Sequence, residues 1–318
     1  MYPYLWVQHT ESGPVEYGTY GLMLVLAFLA AALVAGARFK RVGVNPDVVV
    51  PLLVVAIVSS ILGARLLHFL GSPGDRALFL ADPLVLFNFS KGGMAVMGGQ
   101  IGGVIAGAAF LKWKKINVWK IADIAGPAMM IGSAVGRGGC FFAGCCHGRI
   151  VEGAEVTSHL TGSLFPGGEI LLMDGFPFVA FSYHAGETMG SIYETAVYPT
   201  QTWEGLGALL GFFLLSWVWK NWRKGDGQIM GMTMIFYPLL RFPVEMYRGD
   251  EVRGAGYLAE IFAPLGFEQG LSTSQVTSLC VVLLGAAIVA WRMKVGVAPE
   301  TPFAPPEDDD IDLDEGDE

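Results

Sequence analysis

Residues 121–149 read IADIAGPAMMIGSAVGRGGCFFAGCCHGR, which joins an apolar run to a cluster of charged, thiol and glycine residues. The apolar run covers 121–135, and Arg137, Cys140, Cys145 and Cys146 follow it closely. An arginine in a membrane helix costs about 2.5–3.5 kcal/mol on insertion scales, so it is usually retained for a function. This stretch therefore predicts a membrane helix that ends in a charged functional segment.

The composition of the whole chain indicates a polytopic membrane protein. Of its 318 residues, 53% are hydrophobic and only 15% are charged, whereas soluble domains carry roughly 25% charged residues. Several apolar runs reach the roughly 20 residues that a helix needs to cross a bilayer. We predict an all-α polytopic membrane protein, and no basic or aromatic pattern suggests binding to nucleic acid.

The net charge of −9 arises at the C-terminal end of the chain. Nine acidic residues occur among the last twelve, and proline is frequent just before them. Such a segment does not contain enough apolar surface to fold. We predict an integral membrane domain over 1–296 and a disordered acidic cytoplasmic tail over 297–318, which acts as a solvated tail or as a partner motif.

Seven segments are predicted to span the membrane. They cover 20–37, 47–70, 92–111, 121–137, 200–219, 228–247 and 275–291, and clusters of Lys and Arg follow the first, third, fifth and seventh. Because such clusters accumulate on the cytoplasmic side, the N-terminus is predicted outside and the C-terminus in the cytoplasm. This orientation makes 138–199 a small extracytoplasmic head, a loop long enough to be functional.

Charged residues within the predicted spans suggest a site for an anion. Arg241, Glu245 and Arg248 fall on one helical face if Pro243 only kinks the helix. Glu245 can pair with either arginine, so one interpretation is a structural ion pair. The other, which we favour, is a group of arginines that bind a phosphate headgroup. Arg65, near the outer end of the second span, is a further candidate for this group.

The cysteines of the opening stretch allow several interpretations. Cys140, Cys145 and Cys146 lie on the predicted outer side, which is oxidising in many bacteria, so a disulfide from Cys140 to one of the others is favoured. Free thiols that line the site, a nucleophilic thiol, and a metal site with His147 are the alternatives. Because the C-x4-C-C-H spacing is not a standard zinc motif, no metal is expected.

Several motifs together resemble the bacterial prolipoprotein diacylglyceryl transferases. They lie, in order, at residues 20–23, 92–102, 136–149 and 237–248. Two further stretches, ADPL at 81–84 and YPTQTWE at 198–204, are similar to conserved-looking motifs of that family. The resemblance extends over roughly residues 17–292.

This resemblance implies a multi-pass transferase of the bacterial plasma (inner) membrane. Such enzymes move the diacylglyceryl group of phosphatidylglycerol to the lipobox cysteine thiol of preprolipoproteins and release glycerol phosphate. The implied partners are phosphatidylglycerol, preprolipoprotein signal peptides and the lipid bilayer. No cofactor is implied.

The resemblance also implies roles for individual residues. The catalytic group would comprise Arg137, Arg241, Glu245 and, as the nearest candidate base, His147. The substrate-binding group would comprise Tyr20, Arg65, Gly98, Gly99, Gly148, Tyr237 and Arg248. A disulfide or thiol site would comprise Cys140, Cys145 and Cys146.

The chain departs from the family pattern at four positions. Met97 replaces a histidine, and Cys140, Ala143 and Cys145 stand where typical members carry Asn, Asn and Glu. Methionine cannot accept a proton, so another base or another reaction is required. The alternatives are a paralogue acting on a different anionic lipid or acceptor, a thiol-redox or metal-binding membrane protein of the same fold, and a transporter.

Overall fold

The computed structural model describes residues 4–10, 13–71, 73–88, 93–153, 155–160, 168–183, 195–249 and 270–295. Over these ranges the helices are α1 Thr19–Arg41, α2 Val49–Gly71, α3 Pro73–Ala81, α4 Val96–Trp113, α5 Val118–Ala143, α6 Thr200–Asn221, α7 Gln228–Glu245 and α8 Thr273–Val295. Short 3-10 turns occupy Pro46–Val48 and Pro83–Phe87. The predicted disordered tail, 297–318, lies outside the described residues, as do parts of the predicted head.

Every segment that was predicted to span the membrane contains a helix. In the described part of the chain, four helices are long and apolar enough to cross a bilayer: Thr19–Arg41, Pro46–Gly71, Thr200–Asn221 and Thr273–Val295. Apolar side chains on these helices are widely exposed; Leu283, for example, is 71% exposed. Lipid is the medium that would cover such surfaces. The chain is therefore a mostly helical membrane protein.

Helix α5 extends beyond the predicted end of its span at 137 and ends at Ala143. The glycines after Arg137 do not break the helix, because they are sites of close packing. A Cβ atom on Gly139 would lie 2.8 Å from the Met23 Cβ atom of α1. Arg137 and Cys140 consequently lie about one turn apart near the end of one helix.

Two antiparallel sheets correct the all-α prediction. In the described residues, β1 Tyr4–Thr10 pairs with β2 Gly13–Gly18, and β3 Val156–Leu160, β4 Gly168–Met173 and β5 Val179–Tyr183 form a sheet in the order β3-β4-β5. The runs of β4 and β5 are too short for a packed helix, and Gly175 in the connecting turn has a positive φ of 95°. The sheet β3-β4-β5 lies in the predicted head. Phe181 of β5 packs on Val197, which stabilises this sheet.

The chain divides into two compact units. The first contains Met1–Leu33 and Ala122–Glu300, and the second contains Val34–Ile121, with Thr301–Glu318 assigned to it. The first unit includes most of α5, the β3-β4-β5 sheet and helices α6–α8. The second includes α2, α3 and α4.

In the second unit, α2 and α4 pack closely through glycines. A Cβ atom on Gly98 would lie 2.3 Å from the Gly63 carbonyl oxygen, and one on Gly102 would lie 2.5 Å from the Ser59 carbonyl oxygen. Without side chains at these positions the two backbones can approach each other. The GG pairs of α4 therefore let the backbones of α2 and α4 approach each other.

In the first unit, Asp123 joins the start of α5 to the start of α7. Its carboxylate accepts hydrogen bonds from the backbone N–H groups of Gly227 and Met230, each at 2.9 Å. The Arg223 Nε atom lies 3.4 Å from the same carboxylate. Asp123 of α5 therefore lies at the N-terminus of α7, where N–H groups lack partners within the helix.

Candidate active site

Glu204 connects two arginines of the first unit. It lies in the second turn of α6, is 1% exposed, and places its Oε1 atom 2.6 Å from the Arg241 Nη1 atom of α7. Its Oε2 atom pairs with Nη2 of Arg137 on α5. Gly205 of α6 faces α5, since a Cβ atom there would lie 3.4 Å from the Arg137 Cβ atom. One buried carboxylate thus holds guanidinium groups from two other helices.

A second carboxylate, Glu245, continues this network. It pairs with Nη2 of Arg241, and its Oε2 atom lies 4.0 Å from the Arg248 Nε atom. The Ser272 hydroxyl donates a hydrogen bond of 3.3 Å to its Oε1 atom. The predicted shared helical face is confirmed for Arg241 and Glu245, because α7 remains helical through Pro243. Arg248 lies beyond the end of α7 at Glu245, so it approaches Glu245 from the segment after the helix.

We call Arg137, Glu204, Arg241, Glu245 and Arg248 the arginine network. It contains three guanidinium groups and two carboxylates of the described chain, so its formal charge is +1. Glu204 is the member that sequence reasoning missed. The sequence feature that could have revealed Glu204 is a carboxylate within the apolar segment 200–219, at the end of the stretch 198–204 that resembles the family.

A tight turn after α5 brings three thiols together. The Sγ atoms of Cys140, Cys145 and Cys146 all lie within 4.8 Å of one another. Gly144 and Cys146 adopt positive φ angles of 65° and 60°, and the Cys145 N–H donates a hydrogen bond of 3.1 Å to the Cys140 carbonyl. All three thiols are free in the structure. The favoured disulfide stays a prediction.

The start of α6 holds this turn in place. The Thr200 hydroxyl donates a hydrogen bond of 3.0 Å to the carbonyl of Cys146. The side-chain amide of Gln201 donates one of 2.9 Å to the carbonyl of Cys145. Both side chains are buried. The turn is therefore anchored to the same helix that carries Glu204.

The thiols beyond α5 differ in their acidity. Hydrogen bonds from Cys140 and Cys145, together with the charge and hydrogen bond of Arg248, hold the pKa of Cys146 below its usual value. Hydrogen bonding with Cys140 and Cys146, followed by burial, raises the pKa of Cys145. Among these loop thiols, Cys146 is the one favoured as a thiolate.

Gly148 lies where two other chain segments meet the cysteine turn. Its N–H donates a hydrogen bond of 2.8 Å to the Tyr198 carbonyl, and the Arg149 N–H donates one of 2.8 Å to the Tyr247 carbonyl. A Cβ atom on Gly148 would lie 2.5 Å from the Tyr247 carbonyl oxygen. The Nδ1 atom of His147 lies 3.0 Å from the Gly148 carbonyl oxygen. Since a carbonyl only accepts, that nitrogen acts as the donor.

The structure brings both predicted tyrosines to this region. Tyr20 of α1 packs near the end of α5, because a Cβ atom on Gly139 would lie 3.4 Å from its ring. Tyr20 also interacts electrostatically with the three cysteines. Tyr237 lies one turn before Arg241 on α7 and interacts electrostatically with Arg137.

Three predicted site residues belong to the second unit. Arg65 is fully buried and donates hydrogen bonds to the carbonyls of Leu86 and Val85, each at 3.1 Å, and to that of Asn88 at 2.5 Å. Gly98 and Gly99 face the backbone of α2. These contacts join elements of the second unit, and the roles of Arg65, Gly98 and Gly99 in substrate binding stay predictions.

The fold and the arginine network define a helical membrane protein with buried, paired charges near the end of α5 and along α7. The model of the family described as prolipoprotein diacylglyceryl transferase matches residues 9–291. The chain therefore belongs to this family. Its residues 136–149 and 237–248, which first indicated the resemblance, contribute the cysteine turn and most of the network.

Curated proteins from several bacteria are similar in sequence to this chain over most of their own length. A protein of Clostridium perfringens named phosphatidylglycerol–prolipoprotein diacylglyceryl transferase 2 is 31% identical over 84% of this chain and 88% of its own. A relative named phosphatidylglycerol–prolipoprotein diacylglyceryl transferase in Clostridium tetani is 30% identical over 85% of this chain and 90% of its own. A relative of the same name in Corynebacterium glutamicum is 27% identical over 91% of this chain and 83% of its own.

Proposed function

We propose that this chain transfers the diacylglyceryl group of phosphatidylglycerol to the lipobox cysteine thiol of preprolipoproteins and releases glycerol phosphate. The arginine network is the observation that carries this proposal. Its three guanidinium groups and two carboxylates leave a formal charge of +1 within the described residues. Three guanidinium groups converge in this partly buried site, and guanidinium groups match phosphate oxygens in geometry, so the network favours a phosphate ligand.

In the proposed reaction the network stabilises the leaving group. The acceptor thiolate attacks the glyceryl carbon, the carbon–oxygen bond to phosphate breaks, and its electron pair leaves with glycerol phosphate. Arg137 and Arg241 bind the phosphate oxygens, on which negative charge increases during this step. Glu204 and Glu245 hold both guanidinium groups in position before the substrate arrives, so little reorganisation is needed.

The proposal includes a topology and a location. The chain crosses the bacterial plasma (inner) membrane seven times with its N-terminus outside, and residues 1–296 form the transferase domain. The head, mainly 138–199, receives preprolipoprotein signal peptides. Tyr20, Tyr237, Gly148 and Arg248 line the substrate site. Support comes from the apolar helices and from the closeness of the cysteine turn to Tyr198 and Tyr247.

The test is complementation of a strain that conditionally lacks its own transferase. The mass of a lipoprotein reporter should increase by one diacylglyceryl group when this chain is expressed. Arg137→Ala should reduce the rate of addition at least ~100-fold, the scale seen when one preorganised charge-stabilising donor is removed. Arg41→Ala, which removes an exposed arginine at the end of α1, is the matched control and should retain activity. Absence of addition despite normal membrane expression would contradict the proposal.

A further inference from the structure

The three thiols have the spacing of a metal site. Their sulfur atoms all lie within 4.8 Å of one another. A tetrahedral zinc ion with Zn–S bonds of about 2.3 Å requires sulfur atoms roughly 3.8 Å apart. Small rotations of the side chains are therefore enough to bring the sulfur atoms to a common ion.

The backbone of the cysteine turn is held in a conformation that directs the thiols to one point. Cys146 has a φ angle of 60°, in the left-handed region that residues with a side chain rarely adopt. The hydrogen bonds from Thr200 and Gln201 to the carbonyls of the turn maintain this conformation. Such support from a neighbouring helix is typical of a site that must be rigid before its ligand binds.

We propose that Cys140, Cys145 and Cys146 bind one zinc ion through three thiolates, and that its open fourth position takes the thiol of the acceptor cysteine. The second part rests on the proposed transferase function. Structural zinc sites are closed by four protein ligands, whereas sites that act on a substrate have three and leave one position open. His147 does not belong to the cluster of mutually close ligand atoms in the described chain.

The charges around the turn suit this ion. Three thiolates and one Zn²⁺ ion together carry one negative charge. Arg248 forms a side-chain hydrogen bond with Cys146, and Arg137 interacts electrostatically with Cys140 and Cys146. Donors that bind the ligands of a metal orient these ligands and strengthen the site. The same arginines belong to the network that would bind phosphate, so the acceptor and the leaving group would lie close together.

The zinc ion activates the acceptor thiol by promoting loss of its proton, which Met97, in place of the family histidine, cannot accept. When the acceptor thiol binds zinc it loses its proton, which passes to water on the head side. A sulfur electron pair then forms the bond to the glyceryl carbon as the carbon–oxygen bond to phosphate breaks. The product is a neutral thioether, which binds zinc more weakly than the thiolate and leaves. The step needs no oxidant or reductant.

Metal binding alone is the first test, carried out on the full chain in detergent micelles. We expect one zinc per chain after reduction and reloading, and a thiolate-to-cobalt charge-transfer band when Co²⁺ replaces zinc. Cys140→Ser, Cys145→Ser and Cys146→Ser should each weaken zinc binding at least tenfold in competition with a chelator. Cys280→Ser, at an exposed position of α8, is the matched control and should bind normally.

Two results of this test would overturn the site. The first is reduced wild-type protein that binds no zinc or cobalt at equimolar metal, which needs no variant and therefore does not depend on variant folding. The second is a cobalt band that all three serine variants of the turn retain. A disulfide among these cysteines in zinc-free protein isolated from membranes would also contradict it.

The second test examines the open position. A lipobox peptide with its cysteine should shift the cobalt band of the wild-type chain, and the same peptide with serine should not. If the cysteine peptide leaves the band unchanged, the role in acceptor binding is wrong. If the peptide shifts the band but the reporter is never lipidated, the zinc site stands and the proposed transfer reaction fails.

Discussion

At the scale of single residues, the arginine network depends on Glu204. This carboxylate is 1% exposed and pairs with arginines from α5 and α7, whereas Glu245 pairs within and just beyond α7. Only Glu204 thus connects three helices of the network. A neutral side chain of the same shape would leave two partly buried guanidinium groups with weaker partners.

Glu204→Gln should therefore reduce both stability and activity. Removing one partner from a buried ion pair costs about 3–5 kcal/mol, and the displaced arginines should lower the transfer rate by at least ~10-fold. Thermal unfolding in micelles and the lipoprotein reporter measure the two effects. Glu152→Gln, at an exposed position of the head, is the control. A Glu204→Gln chain with unchanged melting temperature and rate would show that the network is dispensable.

Gly148 gives a second prediction at this scale. An alanine Cβ atom would lie 2.5 Å from both the Tyr198 Cβ atom and the Tyr247 carbonyl oxygen. Because backbone must move to admit it, Gly148→Ala should destabilise the chain by about 1–3 kcal/mol. Gly36→Ala, with nothing within 4 Å of the new atom, should have no destabilising effect in the same unfolding assay. Equal melting temperatures for both variants would contradict this packing.

At the scale of elements, the start of α7 is fixed by a residue from α5. The Asp123 carboxylate accepts two backbone N–H groups of the 227–230 turn and lies beside Arg223. These N–H groups have no partner within the helix, so a carboxylate from outside satisfies them and suits the positive end of the helix dipole. The position of α7, and with it Arg241, is set partly at this distant end.

Asp123→Ala should lower the free energy of unfolding by about 2–3 kcal/mol, because it removes a buried cap and leaves Arg223 with fewer partners. Thermal unfolding in micelles measures this loss, and Asp174→Ala, at an exposed position of the turn between β4 and β5, is its control. Reporter lipidation well below the melting temperature should remain near the wild-type level. Complete loss of activity in a normally folded Asp123→Ala chain would instead indicate a direct role.

At the scale of the whole molecule, the proposed topology can be tested by labelling. Ser158 is exposed in β3 of the head, and Lys114 is exposed just after α4. With the N-terminus outside, Ser158→Cys should react with an impermeant maleimide in intact cells, and Lys114→Cys only after lysis. Labelling of the unmutated chain measures the background from its own four cysteines. The opposite pattern would reverse the orientation and would place the head in the cytoplasm.

Local spacing in the sequence was enough to predict the helices and part of the site. Apolar runs of about 20 residues predicted seven of the eight helices in the described ranges, whereas the nine-residue α3 contains no such run and was not predicted. The pairing of Arg241 with Glu245 followed from helical periodicity alone, whereas Arg248 lies beyond the end of the helix. The two small sheets were missed, because strands of five to seven residues give a weak pattern.

Tertiary structure decided the rest of the site. Glu204 reaches Arg137 and Arg241 because α6 lies against both α5 and α7, and Gly207 of α6 leaves room for Leu240 of α7. The three thiols converge because the turn at 144–146 is anchored to the start of α6. The sequence by itself determined which residues carry charge and which lie on one helical face. Only packing decided which helices are neighbours, because no local spacing encodes a contact between distant segments.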